Sequence, residues 1–365
     1  MQRPITETFE FFEYMHLIVD NKINLSSKLW LLGNKQMQYL IKNYLKVLTD
    51  KNFYSTSMKK SNITTPQKII LLKKFPNIKY LEFTFSKTIN IVKFAKYIPK
   101  SVKILQLNNH KIEDSELKIL PKNVTYLYFN NSYNLKNPID LPKKLTNLIL
   151  NDCTNLTTDF LQNLYKITTL ELNRLNIVNF ELKNLPNLVL LKLEYGKIKT
   201  FVLENCLDLK TLDLYGNYLV EFPQSILKLT NLESLRLRWN KIYQIPEEFS
   251  QLENLKYLDL GSNKLTEFPT AIFTLLKLET LNLDQNFILE VFILNSKLEN
   301  LTNLYLSNNL INRIYLDLPK LENLELNSNK IIEINCQTPN LKELYLFGNT
   351  FYIDYMVPQS TKIYM

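Results

Sequence analysis

One sentence of about 23 residues is spoken three times between Leu209 and Leu278, and a fourth copy begins there. The copies read LKTLDLYGNYLVEFPQSILKLTN, LESLRLRWNKIYQIPEEFSQLEN and LKYLDLGSNKLTEFPTAIFTLLK, followed by LETLNLDQNFI. Each carries L-x-x-L-x-L-x-x-N-x-L. The L-x-L alternation puts two leucines on one face of a short strand. The outer leucines close an apolar wedge. The Asn turns the chain, and its amide can satisfy backbone groups of neighbouring coils. One coil cannot bury its own leucines, so coils must stack.

This spacing resembles the leucine-rich repeat. First consensus positions fall at Ile78, Val102, Val124, Leu145, Ile167, Leu188, Leu209, Leu232, Leu255, Leu278, Leu301, Leu321 and Leu341, 13 copies in steps of 20 to 24 residues. The resemblance implies an α/β solenoid: a curved horseshoe of about 13 repeats, with a parallel concave β-sheet and a small α-helical N-terminal cap. The Asn slot holds Asn217, Asn240, Asn263, Asn286, Asn309, Asn329 and Asn349. In the earlier copies it holds Ser86, His110, Ser132, Cys153, Leu175 and Gly196. IPKSVKILQL (98–107), LPKNVTYLYF (120–129) and LPKKLTNLIL (141–150), with NLKNPI at 134–139, resemble FNIP-type repeats. The last copies leave room for little beyond an extended return.

The expected organisation is residues 1–50 as a helical module, 51–77 as a connection, 78–351 as the repeat array and 352–365 as a C-terminal cap. Within the first part, 5–20, 24–32 and 35–49 read as helices; 50–65 reads as a linker and 66–77 as a lead-in helix. The stretch NLSSKLWLLGNKQMQYLI (24–41) resembles an F-box-like module, although the usual Leu-Pro start is absent. That resemblance implies an adaptor that docks a cullin-type ubiquitin ligase subunit. The simpler expectation is a cap over the first coil.

Charge and chemistry narrow the function. The net charge is +9, but residues 1–77 carry +7 of it. The array is nearly neutral, which argues against a nucleic-acid footprint. No apolar run reaches transmembrane length, and MQRPITETFE lacks a basic-then-apolar signal segment, so neither membrane nor secretion is expected. Cys153, Cys206 and Cys336 are odd in number and far apart, which fits a reducing, cytoplasmic setting. Neither the cysteines nor His16 and His110 have metal-ligand spacing. There is no phosphate loop and no nucleophile elbow. A non-enzymatic binding scaffold without cofactors is expected.

The strand positions that point out of the sheet are the fifth, seventh and eighth of each repeat. They nominate Arg174, Lys192, Glu194, Tyr195, Asp213, Tyr215, Arg236, Arg238, Trp239, Asp259 and Asp284 for a protein partner. Tyr195, Tyr215, Arg236, Arg238 and Trp239 should cluster on three neighbouring strands, since aromatics and arginines dominate binding hot spots. The competing reading is that Trp239 stacks on neighbours and the arginines pair with Asp213 and Asp259. Neither Trp239 nor Arg236 belongs to the leucine pattern, so both should be removable with the fold intact. A second group, Tyr305, Tyr345 and Phe347, lies near the C-terminal end, where it could bind a partner or cover the last coil.

Overall fold

The computed structural model describes residues 55–58, 80–84, 95–108, 112–294, 296–350 and 354–365. The expected helices of 5–20, 24–32, 35–49 and 66–77, with His16, Ser86 and His110, lie outside the described residues. What is described falls into two compact units that divide between Leu156 and Thr157.

In the first unit, strands Ser55–Met58, Tyr80–Thr84, Ile104–Asn108, Tyr126–Asn130 and Asn147–Asn151 form a parallel sheet in chain order. The register aligns Leu81, Leu105, Leu127 and Leu148, all fully buried. The proline signatures have a local cause. Pro lacks an N–H but keeps its carbonyl, and Pro99, Pro121 and Pro142 each accept a bond from the residue three along: Val102, Val124 and Leu145. Each such turn delivers the chain into the next strand. The NLKNPI loop is held by Asp114, whose carboxylate accepts from the N–H of Lys136 and of Asn137, the latter at 2.8 Å.

In the second unit, strands Thr169–Asn173, Leu190–Lys192, Thr211–Asp213, Ser234–Arg236, Tyr257–Asp259, Thr280–Asn282, Asn303–Tyr305, Asn323–Glu325, Glu343–Tyr345 and Lys362–Tyr364 run parallel in chain order. Leu212, Leu235, Leu258 and Leu281 are aligned and fully buried. A period-2 pattern with one leucine face thus produces a sheet with one buried side. Strands Ser55–Met58 and Lys362–Tyr364 were not anticipated; they lie in the expected connection and the expected cap.

Among the repeats of 23 residues, those with a proline and the one without it return differently. The three repeats with FP, IP and FP carry 3₁₀ turns Gln224–Lys228, Glu247–Gln251 and Thr270–Thr274, each preceded by that proline. The repeat from Leu278 is as long but has FILEVFIL instead, and Glu290–Ile293 is a strand. It pairs in parallel with Arg313–Leu316, then Glu333–Cys336, then Asp354–Met356. Asn179–Lys183 and Thr200–Glu204 form a similar pair. In these repeats the return without a proline keeps every N–H and joins a ladder, whereas the 3₁₀ turns Asp114–Ile119 and Asp159–Asn163 form behind Glu113 and Thr158 without one.

The asparagine slot ties successive coils together. Asn217 Nδ2 donates to the carbonyls of Leu193 (2.7 Å) and Leu214 (2.9 Å), and its Oδ1 accepts from Ile198 N–H. The same three bonds recur at Asn240, Asn263, Asn286, Asn309 and Asn329. A second asparagine row, one residue before the repeats from Leu188, Leu232, Leu255, Leu301 and Leu341, was not anticipated. Asn187, Asn231, Asn254, Asn300 and Asn340 each donate to a carbonyl 21 to 24 residues back. Cys153 fills its slot as a buried thiol pushed up to about 12 by desolvation. All three cysteines are free and buried. Among the described residues, no helix is long and apolar enough to cross a membrane.

Candidate functional site

On the solvent side of the second unit's sheet, side chains at equivalent positions stand in rows across the strands. The fifth-position row runs Glu171, Lys192, Asp213, Arg236, Asp259 in direct register. Its signs alternate. Lys192 lies 3.8 Å from Glu171. Arg236 bridges two acids, with Nη1 3.3 Å from Asp213 and Nε 3.4 Å from Asp259. Only 9% of the Asp213 side chain and 4% of that of Asp259 is exposed. Burial raises the Asp259 carboxyl above its ordinary range, against the Gly261 N–H and the two arginines, which lower it. Burial opposes the Arg236 charge, yet Asp213 and Asp259 hold its guanidinium above the usual value.

Upon this ionic row sits an aromatic chain. Tyr195 meets Tyr215 edge-on at 4.8 Å, and Tyr215 stacks on Trp239 at 5.8 Å. Arg236 Cζ lies 4.3 Å from the Tyr215 ring centre, and Arg174 Cζ 5.7 Å from that of Tyr195. The aromatics thus cluster as expected, and Arg236 pairs with Asp213 and Asp259. Arg236 is the neutralising partner of two buried carboxylates, so its removal would disturb the fold. The expectation that it could be deleted harmlessly is corrected on that ground. Arg238 reaches past Gly261 to Asn282 (3.4 Å) and stands 4.0 Å from Asp284. Glu194 is raised by burial first and by the neighbouring Asp213 second.

The eighth position has a backbone consequence that the repeat pattern alone did not reveal. It takes positive φ in every repeat from Ile167 on: Arg174, Tyr195, Gly216, Trp239, Ser262, Gln285, Asn308, Ser328 and Gly348 lie between 53° and 72°. The chain must turn left there so that the next residue, the slot asparagine, points inward. Glycine suits that conformation, and a bulky residue costs roughly 1–2 kcal/mol. Tyr195 and Trp239 nonetheless occupy it, 49% and 53% exposed.

Tyr305, Tyr345 and Phe347 do not form one aromatic cluster. Glu325 stands in register between Tyr305 and Tyr345. Tyr345 instead stacks on Tyr364 at 4.6 Å and donates to Glu343. Phe347 is exposed, with its N–H bonded to Asn327 Oδ1. Tyr257 and Asn282 are part of the central surface but were not nominated. Tyr257 holds the third position, outside the nominated rows, and Asn282 holds the fifth, in register with Asp259.

Family models match where the repeat is most regular. Leucine-rich-repeat models cover 231–252 and 245–288, and the FNIP repeat model covers 114–153. The repeats are leucine-rich repeats. Solved structures agree on the fold. A leucine-rich-repeat protein of Leptospira interrogans is 23% identical over 89% of this chain and 98% of its own, with a TM-score of 0.61. The leucine-rich-repeat domain of APL1B is 19% identical over 80% and 88%, at 0.59. A plant peptide hormone receptor, RGFR1, solved in complex with RGF2, is 22% identical over 76% and 49%, at 0.57. No curated protein matches the chain in sequence.

Proposed function

We propose that this leucine-rich-repeat solenoid is a non-enzymatic scaffold whose second unit binds a protein partner on the solvent side of its strands, between Arg174 and Asp284. One observation carries the reading: Tyr195 and Trp239 are half-exposed aromatics held at positive φ. The conformation itself belongs to the repeat, since Ser262, Gln285, Asn308 and Ser328 share it; what supports the reading is that two large aromatic rings are kept there, half-exposed, where Gly216 shows that glycine fits. Tyr215 links the two rings, and the alternating ionic row beneath them fixes the platform. An open sheet face offers breadth rather than an enclosed cavity, which suits a protein surface. The paired charges favour a polar, selective partner over a polyanion.

The test uses Trp239→Ala and Tyr195→Ala, which spare the ionic row. Partners captured by the full chain should bind each variant with a loss of about 1–3 kcal/mol, at unchanged thermal midpoint. Full affinity in both variants would rule this face out.

The FNIP match at 114–153 favours a second reading of the other end. FNIP-type arrays resemble those joined to F-box modules, so residues 1–50, outside the described residues, would dock a ubiquitin-ligase subunit. Removing 1–50 should then abolish capture of that subunit while leaving the repeats folded. Aggregation of the shortened chain would indicate a cap instead.

A further inference from the structure

The second unit has another exposed strip, beside the strand face and separate from it. After each slot asparagine the chain is extended for three residues. Position eleven points in: Leu219, Ile242, Leu265 and Ile288 are buried. Positions ten and twelve point out. The position-ten N–H donates to the position-eleven carbonyl of the preceding coil, as in Tyr218 to Ile198, Lys241 to Leu219, Lys264 to Ile242 and Phe287 to Leu265, each at 2.8 Å. The flank is therefore a ladder with coils in register, about 4.8 Å apart. The position-ten donors are used in this ladder and those of position eleven on the slot asparagines, so side chains dominate what the strip offers.

Apart from Thr266 and Asn312, those side chains are of two kinds. Lys197, Lys199, Lys241, Lys264 and Lys330 are exposed and stand in the two outer rows. Tyr218, Tyr243, Phe287, Leu289 and Ile332 stand among them, each 43–54% exposed. From Lys197 to Ile332 neither row contains a carboxylate. Among the described residues these five lysines make no ion pair, although lysines elsewhere on the unit do, as Lys210 and Lys256 do with Glu233. Lys241 rests its ammonium over the Tyr218 ring at 5.1 Å. Lys241 and Lys264 occupy the same position in adjacent coils, and like charges so placed repel.

We propose that this flank docks an acidic segment of a protein partner, one whose carboxylates alternate with aromatic or aliphatic side chains. Carboxylates would relieve the repulsion within the lysine row, and the half-sunk apolar side chains would receive the partner's apolar groups. The strip is a poor match for a nucleic acid. Its apolar members include aliphatics that cannot stack on bases; Glu221, Glu267, Glu290 and Glu333 border it at position thirteen, so the partner's carboxylates must seat on the lysines of the two outer rows. It is a poor match for a membrane, because the apolar groups are half-embedded between coils rather than protruding.

The test uses the full chain and a fluorescent peptide of repeating Glu-Leu-Glu-Phe. Controls are polyglutamate, oligo-dT and phosphatidylserine vesicles. The peptide should bind, and Lys241→Glu with Lys264→Glu should weaken it about tenfold or more. Phe287→Ser with Leu289→Ser should do the same, and Trp239→Ala should leave binding unchanged. All these side chains are exposed, and circular dichroism with the thermal midpoint verifies the fold. The proposal is overturned if the peptide fails to bind, if the flank variants bind it normally, or if polyglutamate binds as well. Tighter binding of oligo-dT or vesicles than of peptide overturns it too. So does an equal loss in Trp239→Ala, which would move the site to the strand face.

Discussion

Arg238 crosses directly over Gly261: a β-carbon built on that glycine would stand 2.4 Å from the arginine's Nη1. The missing side chain leaves a notch through which the guanidinium reaches Asn282, two strands away. Gly261→Ala should keep the fold, since the displaced atom is the end of a flexible side chain, but it should evict Arg238. Asp284 would then lose a group that lowers its carboxyl while keeping the burial that raises it. The Asp284 titration, followed by NMR, should move further up in the variant. An unchanged titration would mean that Arg238 does not lie over the notch.

At Trp239 the backbone and the side chain can be separated. Trp239→Ala and Trp239→Gly both remove the ring and its stack on Tyr215. Only alanine retains a β-carbon at φ 58°. The glycine variant should therefore be the more stable of the two by about 1 kcal/mol in urea denaturation, despite its more flexible unfolded chain. Both should bind the partner equally poorly. Equal stabilities would remove the strain argument for this site.

The central acids set a pH response. Asp259, Asp284, Glu194 and Glu325 are all raised, in each case chiefly by burial. A carboxyl with a raised folded value holds its proton more tightly in the folded chain. Its contribution is fully present below the unfolded value, about pH 4, and is lost as pH rises through the folded value. Exposed Glu233, lowered to about 2 by Lys256 and Lys210, acts in the opposite sense. The parent and Asp259→Asn share that effect, so their difference isolates Asp259. Between about pH 7 and pH 4, the parent should gain stability relative to Asp259→Asn. A constant difference across that range would contradict the burial of Asp259.

Much of this was legible in the repeat. L-x-L alternation placed all 13 expected strands, because a period of two admits one register once a leucine face must be buried. The prolines before the turns Gln224–Lys228, Glu247–Gln251 and Thr270–Thr274 are visible too. The strands Ser55–Met58 and Lys362–Tyr364 were missed because STSM and KIY are too short and too little apolar to show the period. The sequence places the fifth, seventh and eighth positions in rows, but it leaves open the sign pairing that sinks Asp213 and Asp259 beside Arg236. Whether Arg236 faces solvent or two buried acids depends on the register of three strands, which no single repeat encodes. The positive φ at the eighth position was hidden for a related reason. Glycine marks it at Gly216 and Gly348, whereas Arg174, Tyr195 and Trp239 mask it. The lysine and apolar flank is not marked by the repeat pattern, because L-x-x-L-x-L-x-x-N-x-L leaves position ten open and ends before position twelve.

The slot asparagines predict a gradient of damage along the second unit. Asn217 is 3% exposed. Its loss would leave the carbonyls of Leu193 and Leu214 and the N–H of Ile198 without the side-chain partner they now have. A buried group left unsatisfied costs about 1–3 kcal/mol, and more than one is affected. Asn217→Ala should therefore destabilise the unit by about 3 kcal/mol. Asn349 makes equivalent bonds to Leu326, Leu346 and Ile331, but at a part-buried site where water can substitute. Asn349→Ala should cost about 1 kcal/mol. Hydrogen exchange adds the spatial readout, because each coil contacts mainly its neighbours. Amides of 188–240 should exchange faster in Asn217→Ala while those of 301–345 stay protected, and Asn349→Ala should show the reverse. Uniform exposure in both variants would show that the unit unfolds as one block, and the bonds of a single slot would then not set local stability.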